Sequence, residues 1–282
     1  MATRLLVSDL VVAAARNKWY DQAAKIPMAR KIAIVNQKGG VGKTTTAVNL
    51  GAYLARAGQR VLLIDLDPQA NATSGLGVEH HQLTHGIYEV LISPTTLRDV
   101  IIQTPITNYH LAPATLSLAG ASVELVPLAR REYLLRENLA GDADRYDYIL
   151  IDSPPSLGLL TINGLVAADE VLVPVQAEYY SLEGLGQLIT TIDLVKDNLH
   201  PGLRMLGVVL TMYDPRFRLS EAVLEELYKF FPSAQIFRSV IPRNVRLAEA
   251  PSYGQTILHY DPKSPGAKAY KKLADEIHHT KL

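Results

Sequence analysis

Lys31-Ile32-Ala33-Ile34-Val35-Asn36-Gln37-Lys38-Gly39-Gly40-Val41-Gly42-Lys43-Thr44-Thr45-Thr46 is the stretch that decides the fold. Lys31 to Asn36 read as a short apolar strand, Gln37 to Gly42 as a glycine-rich turn, and Thr44 to Ala57 as a helix stopped by Gly58. Strand, turn and helix in that order gather backbone N–H groups and a helix N-terminus around one point, where a phosphate chain can sit. In such a cradle Gly39, Gly40, Val41 and Gly42 supply the backbone and Lys43 reaches the terminal phosphates. The Thr44 hydroxyl ligates Mg2+, with Thr45 next to it. The spacing follows G-x-x-x-x-G-K-[ST] with one departure: Gln37 stands where the first glycine belongs, and Lys38 adds a second lysine.

Two carboxylate motifs lie outward from this loop. Arg60 to Asp65 is an apolar strand followed by Leu66-Asp67-Pro68-Gln69, which puts Asp65 and Asp67 at the strand end where open α/β sheets bind ligands. An acid there can position the attacking water or hold Mg2+ through its water shell, while an acid that only caps the next turn is the structural alternative. The spacing leaves open which of the two positions the water. Tyr146 to Asp152 is a second apolar strand ending in an acid, with the form of a Walker B element whose Asp152 reaches Mg2+ through water. The loop Ser153-Pro154-Pro155-Ser156-Leu157-Gly158 follows, placed to report whether a γ-phosphate is present.

Strands and helices alternate along the rest of the chain. Strands are expected at Tyr109 to Ala112, Glu170 to Val175 and Met205 to Leu210. Helices are expected near Ile87 to Ile92, around Ser117 to Leu139, and over Leu182 to Asn198, Ser220 to Phe231 and Gly266 to His279. The fold class is α/β: a P-loop NTPase with a doubly wound, mostly parallel sheet and helices on both faces. Residues 28–282 form that domain. Residues 1–27 read as a separate extension with a helical pattern (Leu5, Leu6, Val11, Val12, Ala15): a start codon assigned too early, a loosely docked helix, or an interaction arm.

Composition narrows the function. Lys+Arg and Asp+Glu are 28 each in 282 residues, so any attraction to nucleic acid or anionic membrane must come from a local patch. The absence of cysteine excludes disulfides, Cys-based zinc sites and thiolate-held iron–sulfur clusters. No apolar run approaches a membrane span, and a cytoplasmic location is expected.

The extra lysine at Lys38 resembles the deviant Walker A loop of the ParA/MinD family of dimerising ATPases. The likeness to ParA (Soj)-type partition ATPases runs from residue 30 to about 278. It includes Asn71-Ala72-Thr73-Ser74-Gly75-Leu76-Gly77, Val173 to Tyr180, Thr211-Met212-Tyr213-Asp214 and Ile241 to Ser252. It implies ATP and Mg2+ as cofactors, weak intrinsic ATPase activity, and an ATP-bound homodimer in which Lys38 crosses to the partner's nucleotide. Through the Asp65-Leu66-Asp67-Pro68-Gln69 run it implies that Asp67 positions the water, and that Asp65, the more buried neighbour, acts through the Mg2+ shell or only structurally. It also implies binding of double-stranded DNA without sequence preference, stimulation by a ParB-type centromere-binding protein, a nucleoid-associated location, and Pro242 and Asn244 near the adenine.

The competing readings are a MinD-like membrane-associated or cargo-positioning ATPase and a metabolic P-loop ligase. The apolar stripe Ala269, Tyr270, Leu273, Ala274 and Ile277 is flanked by Asp275 and Glu276, and so fits packing on the domain better than stable membrane binding. Arg216, Arg218, Arg243 and Arg246 are the residues expected to contact DNA phosphates, with Arg238 near them in sequence.

Overall fold

The computed structural model of the chain describes residues 29–178 and 183–280, without the side chains of Glu183, Arg218 and Leu219. The helical pattern at Leu5 to Ala15 therefore lies outside the described residues. The strands are β1 (Arg30–Ile34), β2 (Val61–Asp65), β3 (Ile102–Gln103), β4 (Tyr109–Ala112), β5 (Tyr148–Asp152), β6 (Glu170–Gln176) and β7 (Arg204–Thr211). They form one sheet in the order β3-β4-β2-β5-β1-β6-β7. Every neighbouring pair is parallel except β3 with β4, which is antiparallel at the edge.

The helices are α1 (Lys43–Arg56), α2 (Asn71–Gly75), α3 (Ile87–Ile92), α4 (Leu97–Val100), α5 (Leu118–Glu124), α6 (Leu134–Leu139), α7 (Leu159–Ala167), α8 (Glu183–Asn198), α9 (Arg218–Phe230), α10 (Val245–Glu249), α11 (Ile257–Tyr260) and α12 (Pro265–His279). The long elements fall within a residue or two of where the apolar pattern puts them. The two-residue β3 and the short α2, α4, α10 and α11 were not expected, because elements of five residues or fewer complete no hydrophobic period.

Both faces of the sheet are covered, which is why its central strands show no polar alternation. On β2, Leu62 and Ile64 face one cluster with Ile149, Ile151, Leu165 and Leu188, while Val61 and Leu63 face the other with Ile34, Leu50, Leu54 and Leu273. The apolar stripe of α12 is buried in this second layer, and Tyr270 shares a hydrogen bond with Thr46 of α1 at 3.2 Å. The stripe is used within the domain and does not present an apolar face outward.

At the opposite edge of the sheet from the glycine-rich turn, the Arg30 guanidinium donates to Glu170 of β6 at 2.6 Å and to the Ile277 carbonyl of α12 at 2.6 Å. Burial alone would lower its affinity for the proton, but the Glu170 hydrogen bond and charge outweigh that and hold Arg30 above its usual range.

One helix position tests the packing between the layers. Tyr109 on β4 is fully buried and donates to the Val48 carbonyl at 3.2 Å, lying across α1 at Gly51. A methyl group on Gly51 would overlap the Tyr109 hydroxyl and ring. Gly51→Ala should therefore destabilise the protein by about 2 kcal/mol, the overpacking cost exceeding the roughly 1 kcal/mol gained from helix propensity. Urea denaturation measures this, and a midpoint at or above the parent's would contradict the packing described.

Candidate active site

The parallel register sets the carboxylates of two strands side by side. Asp65 pairs with Asp152, and Asp152 pairs with Ile34, two residues before Asn36. The loop between β1 and α1 leaves from this point and is fixed at both ends. Asn36 accepts from the Lys38 N–H at 3.0 Å and donates to the Pro174 carbonyl at 2.8 Å. Thr211, the last residue of β7, donates to the Val41 carbonyl at 2.8 Å. Gly40 (φ 74°) and Gly42 (φ 87°) take the left-handed conformations that let the loop turn its N–H groups inward, and Gly42 caps α1.

Beside the loop is a cavity of about 540 Å³, lined by Gly39, Gly40, Gly42 to Thr45, Asp67, Gln69 and Pro155 among others. Lys43 is buried and its ammonium donates to the Lys38 carbonyl at 3.1 Å. Burial pushes its pKa down, opposed by the charges of Asp152 and Asp67.

Asp152 is fully buried, and neither carboxylate oxygen has a hydrogen-bond partner. Burial, then the neighbouring Asp65, raise its pKa well above the usual carboxylate range, and the nearby Thr44 hydroxyl and Lys43 ammonium offset this only in part. An unsatisfied buried carboxylate behind a lysine and a threonine hydroxyl fits a divalent cation held through water. Among the described residues no group of three or more His, Cys, Asp or Glu side chains could hold a metal by themselves. A cation at Thr44 and Asp152 would therefore need phosphate oxygens and water to complete its shell, the arrangement Mg2+ prefers.

The two acids after β2 have different surroundings. Asp65 is fully buried; it accepts from the Asp67 N–H at 3.1 Å and from the Thr73 N–H and hydroxyl at 2.9 and 2.7 Å. Burial pushes its pKa up to about 6, although these hydrogen bonds pull the other way. Its oxygens are taken by bonds that hold the Asp67 backbone, the structural alternative for this residue. Asp67 lines the cavity and accepts from the Gln69 N–H at 3.0 Å.

Lys38 sits on the rim, its ammonium 4.0 Å from Glu178 of the same protomer. Glu178 also accepts from Arg243 at 3.2 Å. The loop after β5 packs close by, with Pro155 lying 4.0 Å from where a side chain on Gly39 would begin.

Pro242 and Asn244 do not line the cavity; its far wall includes Met212, Ala250, Pro251, Ser252 and Gln255. Pro242 instead pairs with Tyr213, next in the chain to Met212, because the Ile241–Arg243 segment runs parallel to the end of β7. Asn244 carries a buried Oδ1 without a partner. Sequence reasoning missed Met212, held at φ 52°, and the buried Thr211, although the Thr211-Met212-Tyr213-Asp214 run marks both.

The arginines are exposed but each described one of the expected set is paired with an acid. Arg216 binds Asp214 at 2.5 Å, Arg243 binds Glu178 at 3.2 Å, and Arg246 binds Glu249 at 2.8 Å. Through its hydrogen bonds Arg216 holds the Asp214 carboxyl down at about 2. The side chain of Arg218, at the start of α9, lies outside the described residues. No helix among the described residues is long and apolar enough to cross a membrane.

A family model described as an AAA domain matches residues 29–205. The chain is 54% identical over 250 residues to the sporulation initiation inhibitor protein Soj of Bacillus subtilis, covering 89% of this chain and 98% of that protein. It is 53% identical over 250 residues to the chromosome-partitioning ATPase Soj of Thermus thermophilus, covering 88% and 95%. A crystal structure described as cobyrinic acid a,c-diamide synthase from Mycobacterium smegmatis with bound ADP and magnesium superposes with a TM-score of 0.78 at 39% identity, covering 88% of this chain and 93% of that one. With half of its residues shared along nearly the whole length of the Soj proteins, the chain belongs to the Soj/ParA family of chromosome-partitioning ATPases.

Proposed function

We propose that this protein is a Mg2+-dependent ATPase of DNA partition whose ATP-bound form is a homodimer, binds duplex DNA without sequence preference, and is stimulated by a ParB-type protein. The observation that carries the ATPase reading is the buried, unpartnered carboxylate of Asp152 behind Lys43 and Thr44 at the phosphate loop. Bound Mg2+ would neutralise charge developing between the β- and γ-phosphates.

The chain's own residues do the rest. Inward-turned N–H groups of residues 39 to 45 bind the phosphates, Lys43 gives up the Lys38 carbonyl for a phosphate oxygen, and Thr44 and Asp152 orient the cation's shell. Asp67, its backbone fixed by Asp65, holds the attacking water. Asn244 lies outside the cavity as it stands, and its unsatisfied Oδ1 would accept from the adenine amino group only if the segment moved towards the wall at Met212.

DNA binding is supported by exposed arginines at the carboxyl edge of the sheet. Glu178 and Glu249 are partly exposed, and pairs of that kind contribute about 1 kcal/mol or less, so Arg243 and Arg246 exchange easily for DNA phosphates, whereas the buried Asp214 holds Arg216 more firmly. One protomer offers few contacts, and two protomers held together make the second set intramolecular. Filter binding of random duplex DNA should show tight, steeply salt-dependent binding with ATP and little with ADP. Equal affinity in the two states would remove the partition mechanism and favour the metabolic reading, a small-molecule enzyme such as the synthase named in the description of the Mycobacterium smegmatis structure.

A further inference from the structure

Of the arginines picked out by sequence, Arg216, Arg243 and Arg246 are paired with acids where they stand, and the cations without acid partners gather around Arg238. A second cavity, of about 560 Å³, opens between the Arg238–Pro242 segment and the first two turns of α12. Arg238, Lys268 and Lys272 line it, together with Tyr213, Ser239 and Pro242. All three cationic side chains are exposed, and among the described residues none of them makes an ion pair. Glu276, the acid on this side of α12, is already engaged: its two oxygens accept from the Arg238 and Ser239 N–H groups at 2.9 and 3.0 Å. The cavity thus gathers three exposed cations around the single carboxylate of Glu276, a local positive excess in a protein whose formal net charge is zero.

The cavity is also continuous with the arginine edge. Tyr213 in its wall accepts from the Arg243 N–H at 3.0 Å, pairs with Pro242, and precedes Arg216 by one turn. A track therefore runs from Arg216 and Arg243 past Tyr213 and Pro242 to Arg238, Lys268 and Lys272. Lys268 and Lys272 are one helical turn apart on the same side of α12, opposite the stripe that Tyr270, Leu273 and Ile277 bury.

We propose that this cavity is a phosphate subsite for the backbone of duplex DNA, in which Lys268, Lys272 and Arg238 hold phosphates next to those contacted by Arg216 and Arg243. It rests on the DNA-binding reading above and adds Lys268 and Lys272, which the sequence reading did not assign, to Arg238, which it placed near the other arginines. Cations with no acid to displace bind a phosphate without leaving a carboxylate unpaired, so they should carry more of the salt dependence than the paired arginines.

The test is filter binding of random duplex DNA to the full chain with ATP across a salt series, for the parent, the Lys268→Ala/Lys272→Ala double variant and the Lys268→Arg/Lys272→Arg double variant. ATPase without DNA is the control, because neither lysine touches the nucleotide cavity. The alanine pair should lower affinity about tenfold or more and flatten the log–log salt slope by about 2 to 4, at roughly 0.9 per phosphate lost in each half of a dimer. The arginine pair should restore both. If the parent binds DNA with ATP and the alanine pair binds with the same affinity and slope, the subsite is wrong and the DNA-binding reading stands. If the parent binds no DNA with either nucleotide, the functional reading itself falls. Unchanged DNA binding with lost adsorption to phosphatidylglycerol vesicles would overturn the subsite in favour of a lipid surface.

Discussion

Asp67→Ala is expected to slow ATP turnover by a factor of about 100 or more, the range for loss of a positioned general base, while ATP affinity stays within a few-fold of the parent. The carboxylate lines the phosphate cavity but is not among the groups that cradle the phosphates, so binding and chemistry separate at this residue. Alanine also removes the hydrogen bond to the Gln69 N–H. Asp67→Asn is therefore the sharper variant, because its Oδ1 can still accept that bond while the charge is gone. Lys43→Ala should do the reverse, lowering ATP affinity on the order of a hundredfold, as expected when a buried phosphate loses its charged partner. Single-turnover hydrolysis and equilibrium nucleotide binding distinguish the two. An Asp67→Asn protein that turns over ATP at the parent rate would move the water-positioning role to another residue.

Lys38→Ala should abolish ATP-driven dimerisation while changing nucleotide binding by the monomer only a few-fold. Within the protomer, Lys38 is held by Glu178 at 4.0 Å, with both side chains more than a third exposed. Exposed pairs of this kind contribute about 1 kcal/mol or less, so Lys38 can leave Glu178 for a second protomer's phosphate at small cost. The parent is expected to be monomeric with ADP and dimeric with ATP by light scattering. A single mass in every nucleotide condition, or a Lys38→Ala protein that dimerises as the parent does, would eliminate the cross-interface role.

The legible parts of this protein were those where chemistry demands consecutive residues. A strand that runs into Gln37-Lys38-Gly39-Gly40-Val41-Gly42-Lys43-Thr44 permits one structure, and an apolar strand ending at Asp152 permits few. The long strands were readable because burial on both faces leaves continuous apolar runs. The division of roles between Asp65 and Asp67 was only half readable: acids at i and i+2 would share one face of a continuing strand, but β2 ends at Asp65, and the spacing does not say that the chain then turns so that Asp65 meets Thr73 while Asp67 lines the cavity. The left-handed Met212 and the wall formed by Ala250 to Gln255 depend on contacts between distant segments, and no local pattern encodes them. The arginine set could be read as cationic, but not as already paired with Asp214, Glu178 and Glu249. The lysines of α12 read only as the polar face of an amphipathic helix, because their cavity exists only once Arg238 is folded against them.

The Arg30 clasp gives the molecule a polarity. It joins the first residue of β1 to the last turn of α12, so the start of β1 and the end of α12 lie side by side at one pole, while the phosphate loop opens at the other. The five residues of β1 put roughly 17 Å of stiff strand between them. Fluorophores attached near Arg30 and Thr280 would sit together, far from the nucleotide, and the distance between them would barely register ATP arriving or leaving. Events at the loop would instead be read from a probe on the rim near Lys38, or from one protomer to its partner.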